Sequence, residues 1–169
     1  MKKHWLFWIT GLSGSGKTKL AKKIKKKIEE EYGPTIELSG DELRKYFSLN
    51  KYDEKSRRNY AKKYGIFCNF LTKKGFNVIF STVSLFHDVQ ISNRKTINNY
   101  IEIFIKSNIN LLIKKRKKFF YRKKNFQIVG KNIKAEYPKN PDIIIFNDFS
   151  KPINEIKEEL LRKIKKKIK

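Results

Sequence analysis

The stretch Trp8-Ile9-Thr10-Gly11-Leu12-Ser13-Gly14-Ser15-Gly16-Lys17-Thr18 decides the fold of this chain. Gly11 to Thr18 fits G-x-x-x-x-G-K-[ST], the loop that wraps nucleotide phosphates. Such a motif counts only in the right context, and the context is present. Leu6 to Thr10 is a short apolar run suited to a buried strand, and Lys19 to Glu31 carries Leu20, Ala21, Ile24 and Ile28 at helical spacing. Small residues at Gly11, Gly14 and Gly16, with Ser13 and Ser15 between them, let backbone N–H groups close around phosphate oxygens. They do so at a helix N-terminus, where the dipole favours negative charge. In that arrangement Lys17 reaches the outer phosphates and the Thr18 hydroxyl takes Mg²⁺, so ATP and Mg²⁺ are the expected cofactors.

Working outward, strands and helices alternate. Thr35 to Ser39 reads as a second strand, Asp41 to Tyr46 as a short helix and Asp53 to Lys74 as a long one stopped by Gly75. Asn77 to Thr82 is a third strand, Val89 to Asn99 a helix, Tyr100 to Ile105 a fourth strand and Asp142 to Phe146 a fifth. The last helix, Ile153 to Ile168, sets Ile156, Leu160, Leu161, Ile164 and Ile168 on one stripe. This alternation predicts an α/β P-loop NTPase fold, a five-stranded parallel sheet with helices on both faces. Residues 1–169 are read as one kinase-sized domain, with no repeat and no long linker.

Composition excludes some classes. Cys68 is the only cysteine, so no intrachain disulfide forms and a reducing, cytoplasmic setting is expected. Met1-Lys2-Lys3 followed by Trp5 to Ile9 resembles a signal-peptide start, but the apolar run leads straight into the phosphate loop and reads as the first strand. No later run approaches the roughly 18 uncharged apolar residues a membrane span needs, so no membrane partner is expected. The 41 Lys and Arg against 16 acids give a formal charge of +25. That excess can signal nucleic-acid binding, but no nucleic-acid motif accompanies it. The lysines scatter over polar helix faces, so no nucleic-acid partner is expected; a positive field that steers polyanionic nucleotides remains.

Lys114 to Lys124 holds eight Lys or Arg among eleven residues, and the polar stretch on to Pro141 is poorly periodic. In a phosphoryl-transfer enzyme this predicts a basic lid over about 108–141 that closes on the triphosphate, with Lys115 and Arg116 on the nucleotide.

Several separated motifs then resemble the adenylylsulfate (APS) kinase family over nearly the whole chain. Trp8 to Lys22 resembles that family's opening stretch. Ser39-Gly40-Asp41-Glu42-Leu43-Arg44 resembles its D-G-D-x-x-R, and Tyr52 to Arg57 its F-S-x-x-D-R. Ser81-Thr82-Val83-Ser84 resembles S-x-I-S, and Pro138-Lys139-Asn140-Pro141-Asp142 resembles P-x-N-P-[ED]. The resemblance implies transfer of the ATP γ-phosphate to a ribose 3′-hydroxyl of a 5′-activated nucleotide. It makes Asp41 the catalytic base or organiser of Mg²⁺-bound water, together with Lys17 as catalytic residue. Arg44 and Arg57 become oxyanion clamps, consistent with their fork geometry. The further acceptor contacts it implies are Phe47, Tyr52, Asn59, Val83, Ser84, Lys118, Ile128, Val129 and Gly130, and the assembly it implies is a homodimer.

The departures from the family pattern gather in the acceptor pocket. The two aromatics that sandwich adenine fall at Tyr52 and Ile128, so one ring is kept and one lost. The family's Asn three positions after the clamp arginine is Tyr60 here, with Asn59 one place early. R-D-x-K-G-L-Y becomes Lys115-Arg116-Lys117-Lys118-Phe119-Phe120-Tyr121, F-T-G-I-D becomes Ile128-Val129-Gly130-Lys131-Asn132, and the first Asp of D-G-D is Ser39. A pocket that keeps its phosphate machinery while replacing base-stacking residues implies a changed nucleobase or 5′ group. Val129-Gly130 with Pro138 to Asp142, together with Asn93-Arg94 and Asn99-Tyr100, resembles the family branch that phosphorylates cytidine diphosphoramidate for capsule modification; adenylylsulfate is the alternative acceptor.

Overall fold

In the computed structural model, β1 (Leu6–Gly11) is the middle strand of a five-stranded sheet with order β2-β3-β1-β4-β5. All four pairings are parallel. The structure describes residues 3–116 and 127–169. Every β1 side chain is buried, as expected of a parallel strand covered on both faces. Successive side chains point to opposite faces, so Leu6 and Trp8 enter one core while Phe7 and Ile9 enter the other.

The second core lies under α1 (Lys17–Tyr32) and the C-terminal helix α6 (Ile153–Ile168). Leu20, Ile24 and Ile28 of α1 and Ile156, Leu160 and Ile164 of α6 meet Ile79, Ile103 and Ile145 of the sheet there. The other face is covered by α2 (Gly40–Tyr46), α3 (Glu54–Lys73), α4 (His87–Thr96) and α5 (Ile109–Arg116). Leu43, Tyr64, Cys68, Val89 and Leu112 pack there against Trp8, Val78 and Phe80. The fold class is the one the alternation predicts. β2 (Thr35–Ser39), β3 (Asn77–Thr82), β4 (Tyr100–Lys106) and β5 (Ile143–Phe146) lie within one residue of their predicted bounds.

Two elements differ from the sequence reading. The fourth helix runs His87–Thr96 rather than Val89–Asn99. Its start is fixed by a contact distant in sequence, the Glu136 carboxylate accepting the His87 amide at 2.6 Å, and Ile97 is already extended. α5 occupies the beginning of the expected lid, where the fully buried Leu112, flanked by the partly buried Ile109 and Ile113, seats a short helix on the core. The far end of that lid is also seated, since Ile128, Val129 and Ile133 are buried in the same core. The basic residues 117–126 lie outside the described residues. No described helix is long and apolar enough to cross a membrane.

Candidate active site

The C-terminal ends of β1, β2 and β3 deliver three loops to one edge of the sheet, where open α/β folds bind ligands. After β1 the chain must turn sharply. Gly11 has φ 150°, and a Cβ there would lie 2.6 Å from the Ile105 carbonyl oxygen, so the loop begins where only glycine fits against β4. The loop is held from below by Asn147, just after β5, whose amide donates to the Ser15 carbonyl at 2.8 Å. No side chain caps α1 at Gly16, and the start of the helix borders the cleft, where its dipole favours an anion. Lys17 is 6 % exposed. Its ammonium donates to the Leu12 carbonyl at 2.7 Å, which holds the charge over the loop. The Thr18 hydroxyl stands 3.2 Å from that of Ser81 at the end of β3.

The loop after β2 is built around Ser39. Its hydroxyl accepts the Glu42 amide at 3.2 Å while the Glu42 carboxylate accepts the Ser39 amide at 2.8 Å, a reciprocal capping box. The serine that departs from the family's first aspartate therefore still starts the helix. Asp41 follows two residues on, an exposed carboxylate in the first turn of α2, where the helix dipole favours it.

One cleft of about 500 Å³ joins these loops, a volume suited to a small ligand. On its phosphate side stand Ser13, Gly14, Gly16, Lys17, Thr18 and Lys19; across from them stand Asp41, Arg44, Tyr52, Arg57, Val83, Ile128 and Val129. Arg44 lies 4.0 Å from the Tyr52 ring centroid and 5.3 Å from that of Tyr60. Arg57 donates to the carbonyls of Tyr52 and Gln127, each at 2.7 Å. Burial, then the neighbouring Arg44, push the Arg57 guanidinium below its ordinary value. Arg44 also donates to the Lys51 carbonyl at 2.9 Å, so among the described residues the direct contacts of these two cleft-lining cations are carbonyls and rings, with the Asp41 and Asp53 carboxylates favouring the Arg57 charge from nearby. That is an oxyanion site in the making. Tyr64 closes the floor. Burial pushes its phenol up to about 12, so it stays a neutral donor, directed at the Gly40 carbonyl at 3.5 Å.

Some expected residues sit elsewhere. Phe47 is more than half exposed and packs edge-on against Phe67, outside the cleft. Asn59 is exposed and does not line the cleft, whereas Tyr60 does. The reason is helical phase: three residues on from Arg57 returns to the same face of α3, and two residues on does not. Ser84 is fully buried behind the cleft, with its carbonyl accepting the Thr10 hydroxyl. Gly130, at φ 92°, presses on the loop from behind, and a Cβ there would lie 2.6 Å from Leu12 Cδ2. Gly11 and Ser15 are buried in the base of the loop. Lys118 lies outside the described residues, as do the side chains of Lys115 and Arg116 at the end of α5. Tyr60, Tyr64, Ser81 and Thr82 line the cleft beyond the expected set. Their signal in the sequence was the three- and seven-residue spacing from Arg57 and the position of Ser81-Thr82 at a strand end.

A parallel sheet with a phosphate loop at its centre and an oxyanion pair opposite defines a P-loop nucleotide kinase. The adenylylsulphate kinase family model matches residues 3–146. Cytidine diphosphoramidate kinase of Campylobacter jejuni is 34% identical over 164 residues, covering 95% of this chain and 96% of that protein. Adenylyl-sulfate kinase of Rippkaea orientalis is 30% identical over 168 residues, covering 95% and 89%. The structure of the Mycobacterium tuberculosis APS kinase in complex with AMPPNP and APS superposes with a TM-score of 0.85 at 23% identity, covering 98% of this chain and 99% of that one. The chain belongs to the adenylylsulphate kinase family, and so is an ATP-using nucleotide kinase that phosphorylates a hydroxyl.

Proposed function

We propose that this chain transfers the γ-phosphate of ATP to the ribose 3′-hydroxyl of a 5′-activated cytidine nucleotide, cytidine diphosphoramidate, in capsule-polysaccharide modification. The observation that carries this reading is the single cleft in which the phosphate loop faces Asp41, Arg44 and Arg57, with Tyr52 as the ring and Ile128 in the second ring's place. Lys17 and the loop amides hold the ATP phosphates and stabilise charge as it develops on the transferred group. Asp41 accepts the hydroxyl proton and orients that oxygen for in-line attack. Arg44 and Arg57 grip the acceptor's 5′ anion, and Tyr52 supplies a face for the base. The hard oxygen donors of Thr18 and Asp41 suit Mg²⁺, which is usually held by one or two carboxylates and the substrate phosphates. Bound there, Mg²⁺ neutralises charge on the phosphate oxygens.

The alternative acceptor is adenylylsulfate, supported by the retained Tyr52 and by the adenylyl-sulfate kinases among the relatives. A cytoplasmic location goes with either reading, because ATP is the donor and Cys68 is a buried free thiol. A homodimer is proposed from the family resemblance, and gel filtration tests it.

Acceptor choice is tested by kcat/KM for ATP consumption with cytidine diphosphoramidate, CDP and APS. The wild type is expected to prefer the cytidine acceptors. Ile128→Phe is expected to shift the ratio several-fold towards APS, since one aromatic contact contributes about 0.5–1.5 kcal/mol beyond burial. Efficient turnover of APS with no cytidine acceptor used would reverse the assignment.

A further inference from the structure

We propose that Arg58 and Glu136, neither of which lines the cleft, form a positioning pair that holds the acceptor wall in place. The inference rests on the reading above, in which the Tyr52 and Ile128 side of the cleft takes the acceptor.

Arg57 and Arg58 are consecutive near the start of α3, and each reaches the same distant stretch. Arg57 donates to the Gln127 carbonyl at 2.7 Å. Arg58 donates through Nη2 to Glu136 Oε1 at 2.6 Å and through Nη1 to Oε2 at 3.3 Å. Residues 127–136 are thereby tied at both ends to one turn of one helix, and Ile128 and Val129 between those ties form the cleft wall. The Glu136 carboxylate does more than pair. Its Oε2 accepts the His87 amide at the start of α4 at 2.6 Å, while the Glu136 amide donates to the Leu85 carbonyl at 2.9 Å. The Gln90 side chain donates to the Glu136 carbonyl at 3.0 Å. Arg58 lies 4.4 Å from the Phe86 ring centroid and also reaches Asp88 at 2.8 Å and Glu54 at 2.7 Å.

The chemistry suits a fixed joint. A planar guanidinium meeting both oxygens of one carboxylate is directional where a lysine would be a point charge. The two side chains are only about a quarter exposed, at 25% and 22%. Each favours the other's charged form: the hydrogen bond to Glu136 raises Arg58 above its ordinary value, and Arg58 holds Glu136 below the usual glutamate range. Loosening this joint frees the wall at its far end while leaving Lys17, Thr18 and Asp41 on their own elements.

The test uses Glu136→Gln, which keeps the side chain's length and an oxygen for the His87 amide but removes the charge. Arg58→Lys keeps the charge and loses the fork, and Asp88→Asn removes only the outer arm of the network. Amide hydrogen exchange across 127–136 is measured together with KM for acceptor and for ATP. Glu136→Gln is expected to speed exchange in that stretch and raise the acceptor KM, each roughly tenfold, the scale of one charge-assisted contact. ATP KM should stay within about twofold, Arg58→Lys should fall between, and Asp88→Asn should match wild type. Unchanged exchange at 127–136, or parallel rises in both KM values, overturns the pair. An equal effect from Asp88→Asn overturns it too, by making the network a general brace. Wild-type enzyme that uses no nucleotide acceptor would instead sink the acceptor reading, with the exchange result still deciding on the pair.

Discussion

Lys17 and Asp41 stand on different loops of one cleft, and their roles separate cleanly by substitution. Lys17 is buried and its ammonium donates to the Leu12 carbonyl at the phosphate loop, the position from which its charge is proposed to serve the phosphates. Lys17→Ala is expected to cost about a hundredfold or more in turnover, with an unchanged circular dichroism spectrum. Retention of more than about a tenth of the rate would contradict its role. Asp41→Asn keeps the shape at the start of α2 and removes proton acceptance. It should lower kcat by about a hundredfold or more while ATP still binds, as titration calorimetry would show. A collapse of ATP affinity at unchanged kcat would reassign Asp41 to binding. Legibility at this scale followed contiguity. The phosphate loop is eight consecutive residues and could be read directly, and Asp41, Arg44 and Arg57 sat in short motifs. Tyr60 was passed over because matching by residue type favours Asn59, one place early, whereas the helix turns the side chain at the family's own position, three after Arg57, into the cleft.

Elements tell a similar story. Strands were legible because a parallel strand buried on both faces carries an unbroken apolar run, as Leu6 to Ile9 of β1 and Val78 to Phe80 of β3 are. α5 was not, because a helix of eight residues, with Leu112 the one fully buried side chain among those described, carries too little periodicity. Nor was the seating of 127–136, which depends on contacts 70 and 78 residues away in sequence. Gly130 is where that stretch meets the phosphate loop. Gly130→Ala combines a positive φ with a Cβ 2.6 Å from Leu12, so it is expected to destabilise the fold by about 1–3 kcal/mol. Thermal unfolding measures this; a melting temperature equal to wild type would show that the loop and the wall are not in contact as described.

Across the whole molecule, charge acts twice. A formal +25 is expected to draw polyphosphate nucleotides towards the cleft, and if it does, kcat/KM should fall as salt is raised from low ionic strength, while kcat changes little. Carboxylates tie the layers together, which sets the pH dependence. Glu136 is held low mainly by Arg58; Asp142 is held low although burial opposes it, because the Glu102 amide, Lys167 and Arg94 outweigh that penalty. Folded values below the ordinary ones stabilise the protein above the ordinary carboxylate range, and the contribution is lost as pH falls through them. The melting temperature should therefore fall on acidification below about pH 4.5, the ordinary glutamate value. A melting temperature that rose there would contradict the pairing.

The acceptor and the site of its phosphorylation are the centre of the account, and two-dimensional ¹H–³¹P NMR of the product reads both. With ATP, Mg²⁺ and cytidine diphosphoramidate, the account predicts a new phosphomonoester resonance correlated with the ribose H3′, formed in step with ADP. ADP released with inorganic phosphate alone, or a new phosphate on any other position of the nucleotide, would contradict it.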